Sequence, residues 1–130
     1  MEHRRLPKSI VENVGCYWSN VIYQYNSDRV IVGGRNMFYV VFIDSVRSLV
    51  EYCYSEPSLG FVLSFLKLDD NDTIFCGCKR GILLRFNLKT NAYSFVESTH
   101  NSFINDILRI NDMKILTCST DETIMEWVFK

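Results

Sequence analysis

Short apolar stretches alternate with polar turns along the whole chain, and the alternation repeats three times. Each repeat has an apolar strand that ends in small residues, then a turn, then a strand that ends in an aromatic residue; these segments span 30–42, 74–86 and 115–127. Another apolar stretch and a polar turn precede each segment, and strand-like stretches at 49–54 and 92–97 follow the first two. Each unit therefore predicts about four short strands in roughly 40–45 residues.

Two of these stretches also fit short helices. Apolar residues between 46 and 53 stand at helical spacing, and those between 104 and 108 nearly do. The aromatic and β-branched residues around them favour strands, and the repeat places both stretches where each unit needs a strand. We therefore predict an all-β fold.

The last unit carries the most specific motif. His100 is followed four residues later by Ile104, then by a strand of small residues, a turn that contains Asp121, and Trp127. This pattern resembles one WD40 repeat, and the earlier units resemble degenerate copies of it. The resemblance, which covers about residues 17–130, implies three consecutive four-stranded antiparallel WD40-like blades, an incomplete β-propeller. The implied blades span about 17–57, 58–98 and 99–130, after an N-terminal arm at 1–16.

In the WD40 family a His, an Asp, a Ser or Thr and a Trp form a hydrogen-bonded tetrad that ties a blade together. The resemblance assigns these roles to His100, Asp121, Trp127, and either Thr117 or Ser119. A buried imidazole and a buried indole N–H each need a partner, so the assignment is physically reasonable. The first two units depart from the pattern at the Asp and Trp positions, where they carry Asn36 and Phe42, and Arg80 and Phe86. We expect these units to rely on apolar packing.

Composition and charge exclude several classes of function. Fourteen basic residues face fifteen acidic ones, for a net charge of −1, which does not fit nucleic-acid binding. The longest apolar run is far shorter than the roughly 20 residues of a membrane-spanning helix, and the N-terminus lacks a signal-peptide pattern. Five cysteines, an odd number, fit a reducing compartment. We therefore expect a cytoplasmic or nuclear protein that does not bind membranes.

The sequence shows no catalytic constellation and no metal or cofactor motif. Cys76 and Cys78 share one strand face, and no second pair completes a zinc site, so two packed thiols are the better interpretation. The acidic residues between 69 and 72 lack the glycine and glutamate of a calcium-binding loop, which favours a simple turn. We expect no enzyme activity and no bound cofactor.

A protein-interaction scaffold that binds proteins or peptides is the function that the resemblance implies. The candidate partner-binding rim consists of turn residues, namely Arg35, Lys79, Arg80 and Thr120. The alternative is a fragment of a larger propeller with a purely structural role and no binding site of its own.

Three blades do not close a ring, because propellers typically have four to eight. Three explanations stay open: the chain is part of a larger propeller, it pairs with another propeller protein, or two copies form a six-bladed homodimer. Residues 9–14 are a candidate outer strand for the last blade.

Overall fold

The structure, a computed structural model, describes residues 2, 4–6, 19–44, 48–68, 72–96 and 100–129. These residues form eleven strands and no helix, and the strands make three antiparallel sheets in which strand order follows chain order. Sheet 1 contains β1 Val21–Asn26, β2 Arg29–Gly34, β3 Met37–Ile43 and β4 Ser48–Ser55. Sheet 2 contains β5 Val62–Lys67, β6 Thr73–Cys78, β7 Leu83–Asn87 and β8 Tyr93–Val96. Sheet 3 contains β9 Ile104–Asn111, β10 Lys114–Ser119 and β11 Ile124–Val128.

The all-β prediction is confirmed, whereas the prediction of three four-stranded units is wrong for the third unit. Sheet 3 has three strands among the residues described, because the described chain continues for a single residue, Phe129, after β11. Of the stretch 46–53, which also fitted a helix, residues 48–53 lie in β4, and the first two lie outside the described residues; 104–108 lies in β9. The candidate strand at 9–14, Cys16, and residues 69–71 of the acidic turn lie outside the described residues.

The central hairpins of the three sheets have turns of two different lengths. The β2–β3 turn consists of Arg35 and Asn36, and the φ of Asn36 is 61°. In the β6–β7 hairpin the Cys78 N–H donates to the Ile82 carbonyl, and in the β10–β11 hairpin the Ser119 N–H donates to the Thr123 carbonyl. Each of these bonds closes a turn of three residues, which ends on Gly81 or Glu122, with φ of 80° and 70°. Left-handed residues at these places suit hairpins because they match the right-handed twist of the flanking strands.

The shorter first turn changes which residue of sheet 1 matches Trp127. Cross-strand pairs at this level are Val30–Val41, Ile74–Phe86 and Ile115–Trp127 in sheets 1, 2 and 3. The assignment of Phe42 to the Trp position is therefore wrong by one residue, and Val41 stands there instead. Phe42 lies on the opposite face of the sheet, since successive side chains of a strand alternate, and its ring packs under the Arg29 guanidinium.

The three sheets are stacked in sequence, with sheet 2 in the middle. In sheets 2 and 3, we call the side that faces the preceding sheet the front face. In sheet 1, the front face is the side that faces away from sheet 2. The opposite side of each sheet is its back face. The back face of sheet 1 packs against the front face of sheet 2, in a cluster that includes Ile31, Phe38, Tyr54, Phe65, Ile74, Cys76 and Phe86. The back face of sheet 2 packs against the front face of sheet 3, through Phe75, Leu83, Ile107, Ile115 and Trp127. Met37, Tyr39 and Val41, on the front face of sheet 1, pack with Leu6.

Gly33 in sheet 1 and Gly77 in sheet 2 each allow the next sheet to pack closely against their own. A Cβ on Gly77 would lie 2.6 Å from Cγ2 of Ile104, and a Cβ on Gly33 would lie 3.0 Å from Val62. Ile104 and Val62 each belong to the first strand of the next sheet. A side chain at either glycine would therefore push neighbouring sheets apart.

Candidate functional site

A buried hydrogen-bond network centred on His100 joins the loop before sheet 3 to the β10 strand and the β10–β11 turn. His100 Nε2 lies 2.7 Å from Oγ1 of Thr117, and its Nδ1 lies 3.1 Å from Oδ2 of Asp121. The indole Nε1 of Trp127 donates to the same Thr117 oxygen at 3.0 Å. The structure thus brings together four of the five residues proposed for a tetrad.

One set of proton positions satisfies the whole network, and it starts from the Trp127 indole, which can only donate. Thr117 Oγ1 accepts from Trp127, so its own proton is free to be donated to Nε2 of His100. The imidazole then carries its proton on Nδ1 and donates it to Asp121 and to Oγ1 of Thr123, which lies 2.8 Å away. Each polar group has a partner when His100 is the neutral Nδ1–H tautomer.

Asp121 is the acceptor at the end of the network. It accepts hydrogen bonds from the Thr123 hydroxyl, from the Thr123 backbone N–H at 3.0 Å, and from the Asn101 backbone N–H at 2.9 Å. The Thr123 hydroxyl has the largest effect in lowering the pKa of Asp121 below its ordinary value, against the opposing effect of burial; the backbone donors and His100 lower it further. Hydrogen bonds of this kind favour the ionised form.

Ser119, the alternative to Thr117 for the hydroxyl position, is the last residue of β10 and its hydroxyl faces the following turn rather than the imidazole. Its Oγ accepts a hydrogen bond of 3.1 Å from the Asp121 backbone N–H. Ser119 therefore stabilises the turn that presents the carboxylate, whereas Thr117 bridges His100 and Trp127.

The order carboxylate, imidazole and hydroxyl is also that of a nucleophilic triad. Thr117, however, is only 1% exposed, and its hydroxyl oxygen contacts both Trp127 and His100. A substrate carbonyl has no open approach to that oxygen. The geometry therefore favours a role for the network in holding sheet 3 together.

A groove crosses the end of the sheets where the central hairpins turn, and we call it the turn-end groove. Its volume is about 450 Å³. Three of the four predicted rim residues line it, together with two aromatic rings: Arg35, Lys79, Arg80, Phe61 and Phe103. The lining thus comes from the first two central turns and from the segments that precede sheets 2 and 3.

Backbone contacts place these groups beside one another. Residues 35 and 61 form an isolated antiparallel bridge between the sheet 1 turn and the segment before sheet 2. The Lys79 N–H donates to the Phe61 carbonyl at 2.7 Å, and the Thr120 N–H donates to the Phe103 carbonyl at 3.1 Å. Thr120, the fourth rim residue, is thus tied to one wall of the turn-end groove, and its hydroxyl accepts from Asn105.

Lys79 lies between the two aromatic rings of the turn-end groove. Its Nζ is 5.5 Å from the centre of the Phe61 ring and 5.3 Å from that of Phe103, which are cation–π distances. This double contact orients the ammonium group without neutralising it.

The turn-end groove carries positive charge with no carboxylate in its lining. Arg35, Lys79 and Arg80 are all exposed, and none of the described residues that line the groove is an Asp or a Glu. None of the three forms an ion pair with another described residue. Within the described part of the chain, the only hydrogen bond that their side chains form is a weak one, 3.4 Å from Arg80 Nη1 to the Ser58 carbonyl. The groove is therefore suited to a negatively charged ligand.

Cys76 and Cys78 are buried within sheet 2, as packed thiols should be. Burial is the main cause that raises the pKa of both thiols, that of Cys78 to about 12, so both are protonated at neutral pH. Across the part of the chain that the structure describes, no three His, Cys, Asp or Glu side chains are grouped as metal ligands would be.

Sequence reasoning missed three functional side chains. Thr123 is two residues after Asp121, the spacing at which a turn carboxylate commonly accepts from the chain, and this was the signal that could have identified it. Phe61 and Phe103 each come directly before the first strand of a sheet, 42 positions apart. The repeat spacing was therefore the signal for the aromatic pair.

Helices that could cross a membrane are absent from the described residues, which contain no helix of sufficient length and apolarity.

Comparisons with known proteins support the fold alone. No family model matches the chain, and none of the curated proteins matches it. Among solved structures, the chain is similar to the computationally designed Ika4 protein, with a TM-score of 0.64 and 13% sequence identity. The similarity covers 86% of this chain and 66% of the designed chain, so the present chain spans just under two thirds of that protein's length.

Proposed function

We propose that this chain is a protein-interaction scaffold of WD40 type, and that it binds acidic segments of partner proteins in the turn-end groove. The three sheets are then consecutive propeller blades, and the turn-end groove lies on the face from which their central turns project. Folding and binding are assigned to different residues: the His100 network holds a blade, and the cationic turns hold the partner.

Three features of the described residues support the propeller arrangement. Each sheet is an antiparallel meander in chain order, the sheets stack front to back, and the network has the composition of a WD40 tetrad. The repeat length of about 40–45 residues is also that of such a blade.

The observation that carries the binding proposal is a cluster of three cations with no neutralising carboxylate and two flanking rings. Hydrogen bonds to charged groups contribute about 1.5–3 kcal/mol each, and Arg suits two-point contact with a carboxylate. The Phe61 and Phe103 rings offer apolar contact for the stem of an acidic side chain or for a neighbouring aromatic residue. An extended acidic peptide with interspersed apolar residues matches this combination.

Fluorescence anisotropy with a short fluorescein-labelled peptide of alternating Glu and Phe tests the proposal. The double variant Lys79→Glu, Arg80→Glu reverses two of the three charges, and we expect it to weaken binding at least tenfold. The matched control is Lys89→Glu, because Lys89 is exposed and lies on the β7–β8 turn, outside the groove. We expect the control to bind as the wild type does.

A peptide with Gln in place of Glu measures how much of the binding free energy comes from the negative charges. Circular dichroism verifies that both variants are folded. Equal binding by the double variant and the control would refute the assignment of the groove. Absence of binding by the wild type at millimolar peptide would refute the proposal and favour the purely structural alternative.

A further inference from the structure

Residues 100–103 form one wall of the turn-end groove, and hydrogen bonds of their backbone hold them in place. The last three of these residues line the groove. The His100 N–H donates to the Gly81 carbonyl at 3.2 Å, and the Phe103 carbonyl accepts from the Thr120 N–H at 3.1 Å. The wall is thus joined at one end to the central turn of sheet 2 and at the other to the central turn of sheet 3.

Asp121 also binds this wall, from outside the groove. Its Oδ2 accepts from the Asn101 N–H at 2.9 Å and from Nδ1 of His100 at 3.1 Å. The Asp121 side chain is 12% exposed, and Asp121 is not among the described residues that line the groove. Its carboxylate therefore fixes the first two residues of the wall and is not presented to a ligand in the groove.

The wall carries the Phe103 ring, one of the two rings that flank the Lys79 ammonium. Lys79 meets its other ring, Phe61, within sheet 2, because its own N–H donates to the Phe61 carbonyl at 2.7 Å. The Phe103 contact, at 5.3 Å, instead joins sheet 2 to the wall that leads into sheet 3. Phe103 is 36% exposed, so burial alone does not fix its ring. The position of the ammonium between the rings therefore depends on how the backbone of the wall is held.

The second residue of the central turn has opposite charges in sheets 2 and 3. Arg80 stands at this position in the turn of sheet 2, and it lines the turn-end groove. Asp121 stands there in the turn of sheet 3, where hydrogen bonds from the wall hold its carboxylate. The Asp121 carboxylate is thus engaged in the network rather than beside the three cations of the groove.

We infer that Asp121 is a positioning residue for the turn-end groove: its carboxylate holds the wall at 100–103 and thereby keeps the Phe103 ring against the Lys79 ammonium. The effect on partner binding rests on the function proposed above, whereas the placement of Lys79 does not. A role limited to the stability of sheet 3 would leave the position of Lys79 unchanged in any variant that is still folded.

Nuclear magnetic resonance of the isotope-labelled full chain measures the placement of Lys79 without any ligand. Ring currents of the two phenylalanines should shift the ε-methylene protons of Lys79 upfield of those of Lys89, which is exposed on the β7–β8 turn. Phe103→Leu defines the part of this shift that the Phe103 ring contributes. Asp121→Ser shortens the side chain but keeps a residue that suits a turn, and we expect it to lose that same part.

Two further variants separate positioning from general stability. Trp127→Phe removes the indole N–H at the other end of the network, and it should leave the Lys79 signal unchanged. Asp121→Asn keeps one acceptor oxygen and should retain the shift; an amide oxygen makes the same type of bond in sheet 1, where Asn36 Oδ1 accepts from the Gly60 N–H at 2.7 Å. Sucrose, which favours the folded state, is added to every sample, and circular dichroism verifies folding. An unchanged Lys79 signal in Asp121→Ser, or an equal loss in Trp127→Phe, would overturn the inference.

Fluorescence anisotropy with the peptide of alternating Glu and Phe connects the placement of Lys79 to binding. We expect Asp121→Ser to bind about threefold more weakly than Asp121→Asn, which has the same net charge, since it loosens one exposed cation–π contact. Equal affinities of these two variants would overturn the inference. A wild type that shows the Lys79 shift but does not bind the peptide would refute the proposed function alone and leave the placement of Lys79 by Asp121 in force.

Discussion

Sheet 2 and sheet 3 have the same hairpin order, but they are stabilised in different ways. Sheet 2 lies between two neighbours, and every residue of its strand β6 is buried. Among the described residues, sheet 3 has a neighbour on its front face only, and half-buried and exposed residues alternate along β11. At the level where sheet 2 carries Cys76 and Phe86, sheet 3 carries Thr117 and Trp127.

The polar network thus occurs in the sheet that buries less apolar surface. Burial of apolar area on both faces stabilises sheet 2 without directional contacts. In sheet 3 the His100 network fixes the turn, the loop and the strand to one another, with every donor and acceptor satisfied. A satisfied buried network rigidifies a structure, whereas a partly satisfied one destabilises it. The three changes below test this division between apolar and polar stabilisation.

Truncation in the middle sheet should have the largest effect. The Phe86 ring is fully buried and lies 5.2 Å from the Phe38 ring and 5.0 Å from the Tyr54 ring. We expect Phe86→Ala to lower the free energy of unfolding by about 3–5 kcal/mol, as for other buried aromatic truncations. Urea denaturation at fixed protein concentration measures this, with Phe95→Ala as a control, since Phe95 is 40% exposed. Similar losses from both variants would contradict the dominance of the central core.

Removal of one hydroxyl from the network should have an intermediate effect. Thr117→Val keeps the shape of the side chain but removes the hydroxyl to which both Trp127 Nε1 and His100 Nε2 are hydrogen-bonded. An unsatisfied buried polar group costs about 1–3 kcal/mol, so we expect a loss in that range in the same denaturation experiment. Thr120→Val is the matched control on the exposed turn, and its effect should stay below about 0.5 kcal/mol. If Thr117→Val were neutral, the network would not stabilise sheet 3.

Acidification from neutral pH should have the smallest effect of the three changes on the free energy of unfolding. It measures the contribution of Asp121. Its pKa is lower in the folded state than the unfolded value of about 3.9, so the unfolded chain binds more protons in acid. The stabilisation is therefore complete well above that value and declines as the pH falls through it toward the folded pKa. Urea midpoints of the wild type and Asp121→Asn, measured from pH 7 downward, should converge in acid. A constant difference between the two proteins would exclude this linkage.

Much of the strand pattern was predictable because it depends on local order. Alternation and turn residues located all eleven strands to within a few positions, and the motif from His100 to Trp127 brought the network residues together in advance. Both signals are carried by residue types at fixed spacing.

The remaining features depend on geometry that residue types do not encode. Val41 rather than Phe42 matches Trp127 because the first turn is one residue shorter, a difference that spacing alone does not reveal. The contribution of Thr123 depends on the side-chain conformation within one turn. The turn-end groove forms because turns of different sheets meet at one end, so Phe61 and Phe103 acquire a role only after the sheets are stacked.

The meander order of the strands has a consequence for how the chain acquires its structure. Among the described strands, each pairs with strands that are adjacent in the chain, and the main contacts between sheets join sheet 1 to sheet 2 and sheet 2 to sheet 3. Loop closure between such neighbours costs little entropy compared with long-range pairing. Each hairpin can therefore form as soon as its second strand has left the ribosome, and each new sheet can dock on the one already formed. We expect vectorial folding, in which sheet 1 provides the surface on which the later sheets assemble.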